Sequence, residues 1–563
     1  MDNNNYRLIC DTILNATMQD ININSIRRIN LPQSHNNSIY GPVYENAVNS
    51  NAPITMVYTS TGTGKSEIIT DRAKAVINAG IDPKRVMILN MNIAKTNQLK
   101  HELPNIQTMT FSEFTHNIVH ANYPNWQLSD LNSIKNIVSL NAYDDFTNAF
   151  IKELSIKNPQ DKIARLTLFV NAHTDQVINT LHQINASDYT LESMICQNKI
   201  KTFPINPYSL DEIIINGVHN MPIPILCAIL RYADKTKTNL FITGAPDEGI
   251  YKFVMAYGEC MDVMSSYAVN GINIIRLTQS PGMKNEIRDL IKMKPNLVVP
   301  KSVINIANAY MNYDVTLKEM MTATIGYDRK YIKEKLDNHE QILILALSKN
   351  DINLIKEVVT AEYLPYYPSM KMIDMTNRGN ASTSYGEIAV EECSCLITKY
   401  PNGITIRTLY GEIYAALTYR LKNTESPFQK NQYIKDIDNI MEFFAPENFP
   451  TNYDTLMPVK IAISYVIAME SRKMQEYVES KNRTASIDIK DADIILSTVH
   501  SAIDIQCDNV VAFLKNNSEN VDDAVYKVAL SRADKSEYLI FANYGPFQVP
   551  YQKYINTCID KNT

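Results

Sequence analysis

Tryptophan occurs once in this 563-residue chain and glycine only 16 times. Also missing are a C-x-x-C pair, histidines clustered at metal spacing, and an excess of basic charge. No stretch approaches the roughly 18 apolar residues of a membrane-spanning helix. The N-terminus, MDNNNYRLICDTILNATMQD, has no basic segment followed by a long apolar run, so the expectation is a soluble, non-secreted protein. The eight cysteines (Cys10, Cys196, Cys227, Cys260, Cys393, Cys395, Cys507 and Cys558) are scattered. They are expected to be reduced, mostly core residues in a cytosol-like compartment, that of a host cell if the protein is viral. With 54 basic and 60 acidic residues the net charge is -6, so nucleic-acid binding would need a local basic groove.

What is abundant is Asn, Ile, Lys and Tyr, the bias of an AT-rich coding sequence, which points toward a virus or mobile element. Hydrophobic residues at 45% and charged residues at 20% are ordinary for a folded soluble protein. The length suggests about three or four domains.

The first 50 residues are polar and read as a lead-in helix and loop. Ile54 to Tyr58 then reads as a strand, Thr59 to Lys65 as a loop, Ser66 to Ala79 as a helix and Arg85 to Leu89 as a second strand. This is a βαβ unit, which implies a parallel sheet. Residues 111–200 show mainly helical spacing. Strand signals resume at Ile213 to Ile215 and Leu240 to Thr243, around the helix MPIPILCAILRYAD, and at Ile272 to Leu277. Gln341 to Ser348 starts another βα unit, residues 365–488 are mixed, and three strands close the pattern around VDDAVYKVALSRAD. Two α/β cores with insertions are expected.

The loop Thr59, Ser60, Thr61, Gly62, Thr63, Gly64, Lys65, Ser66 satisfies G-x-x-x-x-G-K-[ST] except at its first glycine. In that pattern the backbone N–H groups from Gly62 to Ser66 and the helix N-terminus surround phosphates, Lys65 bridges β and γ oxygens, and Ser66 ligands Mg²⁺. A chance match in a surface turn would lack the strand before and the helix after.

The downstream order of segments resembles superfamily 1 helicases of the UvrD/Rep type, DNA translocases with two RecA-like domains that each carry an insertion. Thr110-Phe111-Ser112-Glu113-Phe114 resembles the family's T-F-H-S-F, where single-stranded DNA is touched. GAPDEGIYKFVMA resembles motif III and keeps Gly244, Ile250, Tyr251 and Phe253, whose rings would offer stacking faces. LSTVHSAIDIQCDNVVAF resembles motif V, keeping Thr498, His500, Ala502 and Val510. AVYKVALSRADKSEYLIF resembles motif VI, with Tyr526, Ala529, Ala533 and Arg532, the arginine that would reach the γ-phosphate.

The resemblance implies two P-loop domains with parallel sheets. Domain 1A would comprise residues 51–114 and 205–271, a helical 1B-like insertion 115–204, domain 2A residues 272–364 and 489–563, and a mixed 2B-like insertion 365–488, after a lead-in of 1–50. It also implies ATP and Mg²⁺ as cofactors and single-stranded DNA, or RNA, as partner, with further replication, repair or transcription proteins.

The departures fall on chemistry. Where motif II has D-E-x-Q-D, this chain has Asn216-Gly217-Val218-His219-Asn220. An aspartate there holds Mg²⁺ and a glutamate polarises water; Asn216 offers only a neutral oxygen. Asp211 and Glu212 precede the strand, at the wrong end of the sheet. The motif III Asp and Gln become Ala245 and Glu248 and its Arg becomes Val254; the motif IV arginine becomes Gly282; the motif V Lys and Glu become Ile503 and Gln506. The adenine-reading glutamine corresponds to Tyr44, or more loosely to Gln33, and motif Ia reads Asn90 to Thr96.

The residues expected to matter are therefore Lys65, Arg532 and Glu248 for catalysis, and Gly62, Thr63, Gly64, Lys65, Ser66, Tyr44 and Arg532 for nucleotide. Thr110, Phe111, Tyr251, Phe253, Thr498 and His500 would contact nucleic acid, and Ser66 and Asn216 would hold Mg²⁺. His219 reads either as a nucleotide contact or as a surface histidine, and His500 either as a nucleic-acid contact or as bonded to a backbone carbonyl. Cys393 and Cys395 read as packing. The leading expectation is a nucleic-acid-binding pseudoenzyme. Its rivals are an active helicase in which Glu248 or Asp247 takes over the motif II work, and a structural or virion-associated protein.

Overall fold

The computed structural model describes residues 3–32, 39–59, 63–140, 144–268, 271–277, 329–376, 384–424, 427–484, 491–502, 505, 507–514, 525, 528–529 and 532–541. The chain opens with helix α1 (Asn3–Asp20), whose Tyr6, Cys10 and Leu14 are buried. Helix α2 (Pro42–Val48) follows and leads into strand β1 (Ile54–Tyr58). All five β1 residues are buried, the pattern of an interior strand of a parallel sheet. The next elements are helix α3 (Lys65–Asn78), β2 (Val86–Asn90), helix α4 (Ile93–Glu102) and β3 (Gln107–Thr110).

From β3 the chain becomes helical: α5 (Phe111–Asn122), α6 (Leu131–Leu140), α7 (Asp145–Leu154), α8 (Pro159–Ile184) and α9 (Tyr189–Lys199). The short strands β4 (Gln127–Leu128) and β5 (Ala186–Ser187) pair beside them. Helix α8 breaks at His173, where φ is -131° and ψ 30°. The sheet resumes with β6 (Glu212–Asn216), helix α10 (Ile223–Thr236), β7 (Asn239–Gly244), helix α11 (Cys260–Ser265) and β8 (Ile272–Arg276). The first sheet has the order β3-β2-β6-β7-β1-β8 and is parallel throughout.

The second sheet is also parallel, in the order β10-β11-β9-β12-β13. It is formed by β9 (Ile342–Ala346), β10 (Met372–Asp374), β11 (Ile494–Thr498), β12 (Cys507–Leu514) and β13 (Ala533–Phe541). Two parallel sheets flanked by helices are the RecA-like α/β architecture expected from the sequence.

Two expected boundaries move. Ile272–Arg276 adds to β1 as an edge strand, because its apolar residues continue the first sheet, so that sheet runs past residue 271. Met372–Asp374 pairs with β11, so the second sheet reaches beyond residue 364. Between β10 and β11 the described residues are helical where a mixed insertion was expected, apart from an isolated bridge between Ile404 and Met457. The reason is visible in the helix Ile406–Asn423. Its buried Ile406, Leu409, Ile413 and Leu417 recur at helical spacing despite a run rich in Thr, Ile and Tyr. Among the described residues no helix is long and apolar enough to cross a membrane.

Candidate nucleotide site and nucleic-acid face

The phosphate loop leaves the C-terminal end of β1 and enters α3, the crevice position where open parallel sheets bind ligands. Gly64 caps α3 with φ of 81°, a left-handed conformation, and a Cβ there would meet the Tyr40 ring at 3.0 Å. Both facts demand glycine. Ser66 lies in the first turn of α3 and Thr63 is buried beside it. The buried Thr59 Oγ1 has no hydrogen-bond partner. Residues 60–62, Gly62 included, lie outside the described residues.

The ends of β6 and β2 lie on the far side of β7, the strand that pairs directly with β1. The register sets Leu89 beside Ile215, so Asn90 and Asn216 leave the sheet together. Asn216 Nδ2 donates to Asn90 Oδ1 at 2.9 Å, leaving Asn216 Oδ1 and Asn90 Nδ2 buried and unpartnered. Gly217 follows with φ of 81°, and an added Cβ would touch the His219 ring at 3.4 Å. Asp211 and Glu212 are at the opposite end of β6. Asp211 pairs with Arg27 and Arg85, and Glu212 with Arg72, as structural ions.

His219 is 1% exposed, so it is not a surface histidine. The backbone N–H of Ala245 donates to its Nδ1 at 3.0 Å, which assigns the ring proton of the neutral imidazole to Nε2. That Nε2 is buried with no partner. Burial, then the nearby positive charge of Lys65, push its pKa down to about 3, with Glu248 opposing and Arg532 adding to the fall. Lys65, Glu248 and Arg532 thus all act electrostatically on one neutral imidazole. Within this group Lys65 Nζ meets Glu248 Oε2 at 3.1 Å, the carboxylate being 1% exposed. Arg532 is buried and its Nε donates to the Val528 carbonyl.

Tyr44 is not free to read a base through its hydroxyl, which donates to Asp71 Oδ2 at 2.8 Å. Its buried ring stacks on Tyr40 at 4.9 Å. Gln33 lies outside the described residues, as do Gly282, Ile503, Gln506, Tyr526 and the side chain of Asp247.

The helix start and Lys65 suit a phosphate, and the Thr59 hydroxyl and His219 Nε2–H are buried polar groups with no partner. Mg²⁺ fits poorly. Ser66 and Asn216 supply one hydroxyl and one amide oxygen, whereas this ion takes carboxylates in addition to phosphate and water. Among the described residues no group of three or more His, Cys, Asp or Glu side chains could hold a metal.

The residues expected to touch nucleic acid separate into two sets. Thr110 is buried as the cap of α5: its Oγ1 accepts from Glu113 N at 3.3 Å, and its own N–H donates to Glu113 Oε2 at 2.6 Å. Phe111 is 1% exposed inside the first core. The T-F-x-x-F pattern here encodes a capping box and a core anchor, and Phe111 presents no face to a base. Tyr251, Phe253 and His500 instead come together at the junction of the two sheets, with ring centroids 5.7 to 6.0 Å apart. The Tyr251 hydroxyl donates to the His500 carbonyl. Tyr251 is nearly buried, and Phe253, at 41% exposure, is the ring open to solvent. Thr498 closes a turn by accepting from Ser501 N at 3.3 Å. Burial lowers the His500 pKa.

Two participants were not singled out from the sequence, Tyr40 over the loop and Asn90 beside Asn216. The signal for the second was present, since the strands VMILN and EIIIN both end in asparagine.

No curated protein matches this chain. The family model of the UvrD/REP helicase N-terminal domain matches residues 41–210, from the lead-in of β1 to just before β6. That span carries the phosphate loop, β1 to β3 and the helical segment, and over those residues the chain is similar to the N-terminal domain of UvrD/REP helicases.

Proposed function

We propose that this chain is a helicase-like P-loop protein that binds a nucleotide and single-stranded nucleic acid, with ATP hydrolysis and unwinding impaired. The observation that carries the reading is the Asn90–Asn216 amide pair, followed by Gly217, at the point where an aspartate and a glutamate would hold Mg²⁺ and activate water. Losing a general base typically costs about 10²–10⁴ in rate. The left-handed backbone at Gly217 means that a glutamate there would be strained.

Nucleotide binding is supported by Lys65, by the left-handed Gly64 at the helix start and by the unpartnered His219 Nε2. Nucleic-acid binding is supported by the exposed Phe253 beside His500. The protein would then act as a binding or scaffolding component alongside replication, repair or transcription proteins. The test measures single-strand binding by fluorescence anisotropy together with DNA-stimulated ATP turnover. Single-strand binding with negligible turnover is expected; robust turnover that collapses in Lys65→Ala would refute the impaired half.

One observation favours a second reading, an active but divergent helicase. Glu248 places a buried carboxylate beside Lys65. Strand displacement by the wild type that Glu248→Gln abolishes would establish it.

A further inference from the structure

We propose that the Glu248 carboxylate stands in for a γ-phosphate, so that the cleft takes a nucleoside diphosphate in preference to a triphosphate. The proposal rests on the nucleotide-binding reading above and deepens it. In a phosphate loop the lysine spans the β and γ oxygens. Here that ammonium already meets an anion, Glu248 Oε2 at 3.1 Å, contributed by the turn after β7.

The carboxylate is not on a free arm. Glu248 N–H donates to the Ala245 carbonyl at 2.9 Å, and Ala245 N–H is tied to His219. A Cβ on the next residue, Gly249, would come within 3.3 Å of the His219 carbonyl, so the turn is packed closely against the loop after β6. Displacing the carboxylate would break a partly buried ion pair and leave the buried anion in a low-dielectric wall. Leaving it in place would set a γ-phosphate against a like charge. A divalent cation bridging the two anions would relieve the conflict, but Asn216 and Gly217 remove the acids that would hold it. A diphosphate avoids the conflict, since its β-phosphate reaches the start of α3 and one side of Lys65 while Glu248 keeps the other. Tyr44, committed to Asp71, leaves the preference one of phosphate number rather than of base.

The experiment is equilibrium binding of ribose-labelled fluorescent ADP and ATP to the full chain, with Mg²⁺ and with chelator. Wild type, Glu248→Gln, Glu248→Ala and Lys65→Ala are compared, with the fold of each checked by circular dichroism. Wild type is expected to bind ADP at least about 10-fold more tightly than ATP, the size of one charge-assisted contact. Glu248→Gln and Glu248→Ala are expected to bring the ratio to unity or reverse it, and Lys65→Ala to weaken both nucleotides. Equal or tighter ATP binding by wild type, which needs no variant to fold, overturns the diphosphate preference alone. So does an ADP to ATP ratio unchanged in a folded Glu248→Gln. Absence of binding of either nucleotide overturns the preference and the nucleotide half of the proposed function together.

Discussion

Arg72 on α3 and Glu212 at the start of β6 are both fully buried and meet at 2.8 Å. Arg72 also donates through Nη1 to the carbonyls of Val48 and Ser50 and lies over the Phe241 ring, so one guanidinium ties α2, α3, β6 and β7 together. Burial raises the Glu212 pKa while Arg72 opposes the rise. Glu212→Gln should therefore leave an uncompensated buried cation and cost about 3–5 kcal/mol. Urea unfolding of Glu212→Gln, Arg72→Met and the double variant tests this. The double variant should be more stable than the sum of the single effects implies, and simple additivity would contradict the coupling.

The neutral imidazole of His219 gives a pH dependence with a definite sign. Its folded pKa of about 3 lies below the unfolded value of roughly 6.5. Between these values the unfolded chain holds more protons, so the contribution is complete above pH 6.5 and is lost as pH falls toward 3. From pH 7 to pH 5 the loss should be about 2 kcal/mol. Asp188 and Glu470, whose buried carboxyls are pushed up to about 7, act in the opposite sense over this range, so the His219 contribution is read as a difference. Denaturant titrations at the two pH values should show the pH 7 to pH 5 change in His219→Gln differing from that in wild type by about 2 kcal/mol.

Asn216→Asp puts a carboxylate back at the end of β6. It removes the hydrogen bond to Asn90 Oδ1 and sets two oxygens against each other, so without metal the variant should be less stable by about 1–3 kcal/mol. Addition of Mg²⁺ should recover part of that loss in the variant and none in wild type. Thermal melts with and without Mg²⁺ distinguish the two, and an identical Mg²⁺ response would count against the role given to this position.

Two phenylalanines should respond in opposite ways. Phe253→Ala removes an exposed ring and should weaken single-strand binding by about 1–3 kcal/mol with little change in melting temperature. Phe111→Ala empties a core position and should destabilise the fold by about 3–5 kcal/mol. Anisotropy and denaturant unfolding on both variants separate the roles.

The phosphate loop was legible because its chemistry is local: β1, the turn and α3 are contiguous, and the glycine at 64 answers to backbone geometry. The parallel sheets were legible for the same reason, through short buried runs such as ILILA and IILST. What the sequence could not supply was pairing across distance. Nothing local ties Asn90 to Asn216, Lys65 to Glu248 or Tyr40 to Gly64, since each pair meets only after the strands assemble. The reading of Phe111 as a nucleic-acid contact went astray for a related reason. A threonine three residues before a glutamate is a helix start whatever its family context, and the ring that follows faces whichever layer lies beneath. The second insertion was hidden by composition, because its Thr, Ile and Tyr favour strands, while the helix is set by Ile406, Leu409, Ile413 and Leu417 recurring on one buried face.

The contact from Tyr251 to His500 has a consequence for genetics. Its acceptor is a main-chain carbonyl, so every residue placed at position 500 still provides one. The donor belongs to a side chain, and phenylalanine at 251 would keep the ring while deleting the bond. A randomised library should therefore find the junction of the two sheets tolerant at one of its ends and exacting at the other, an asymmetry that a list of touching residues would not reveal.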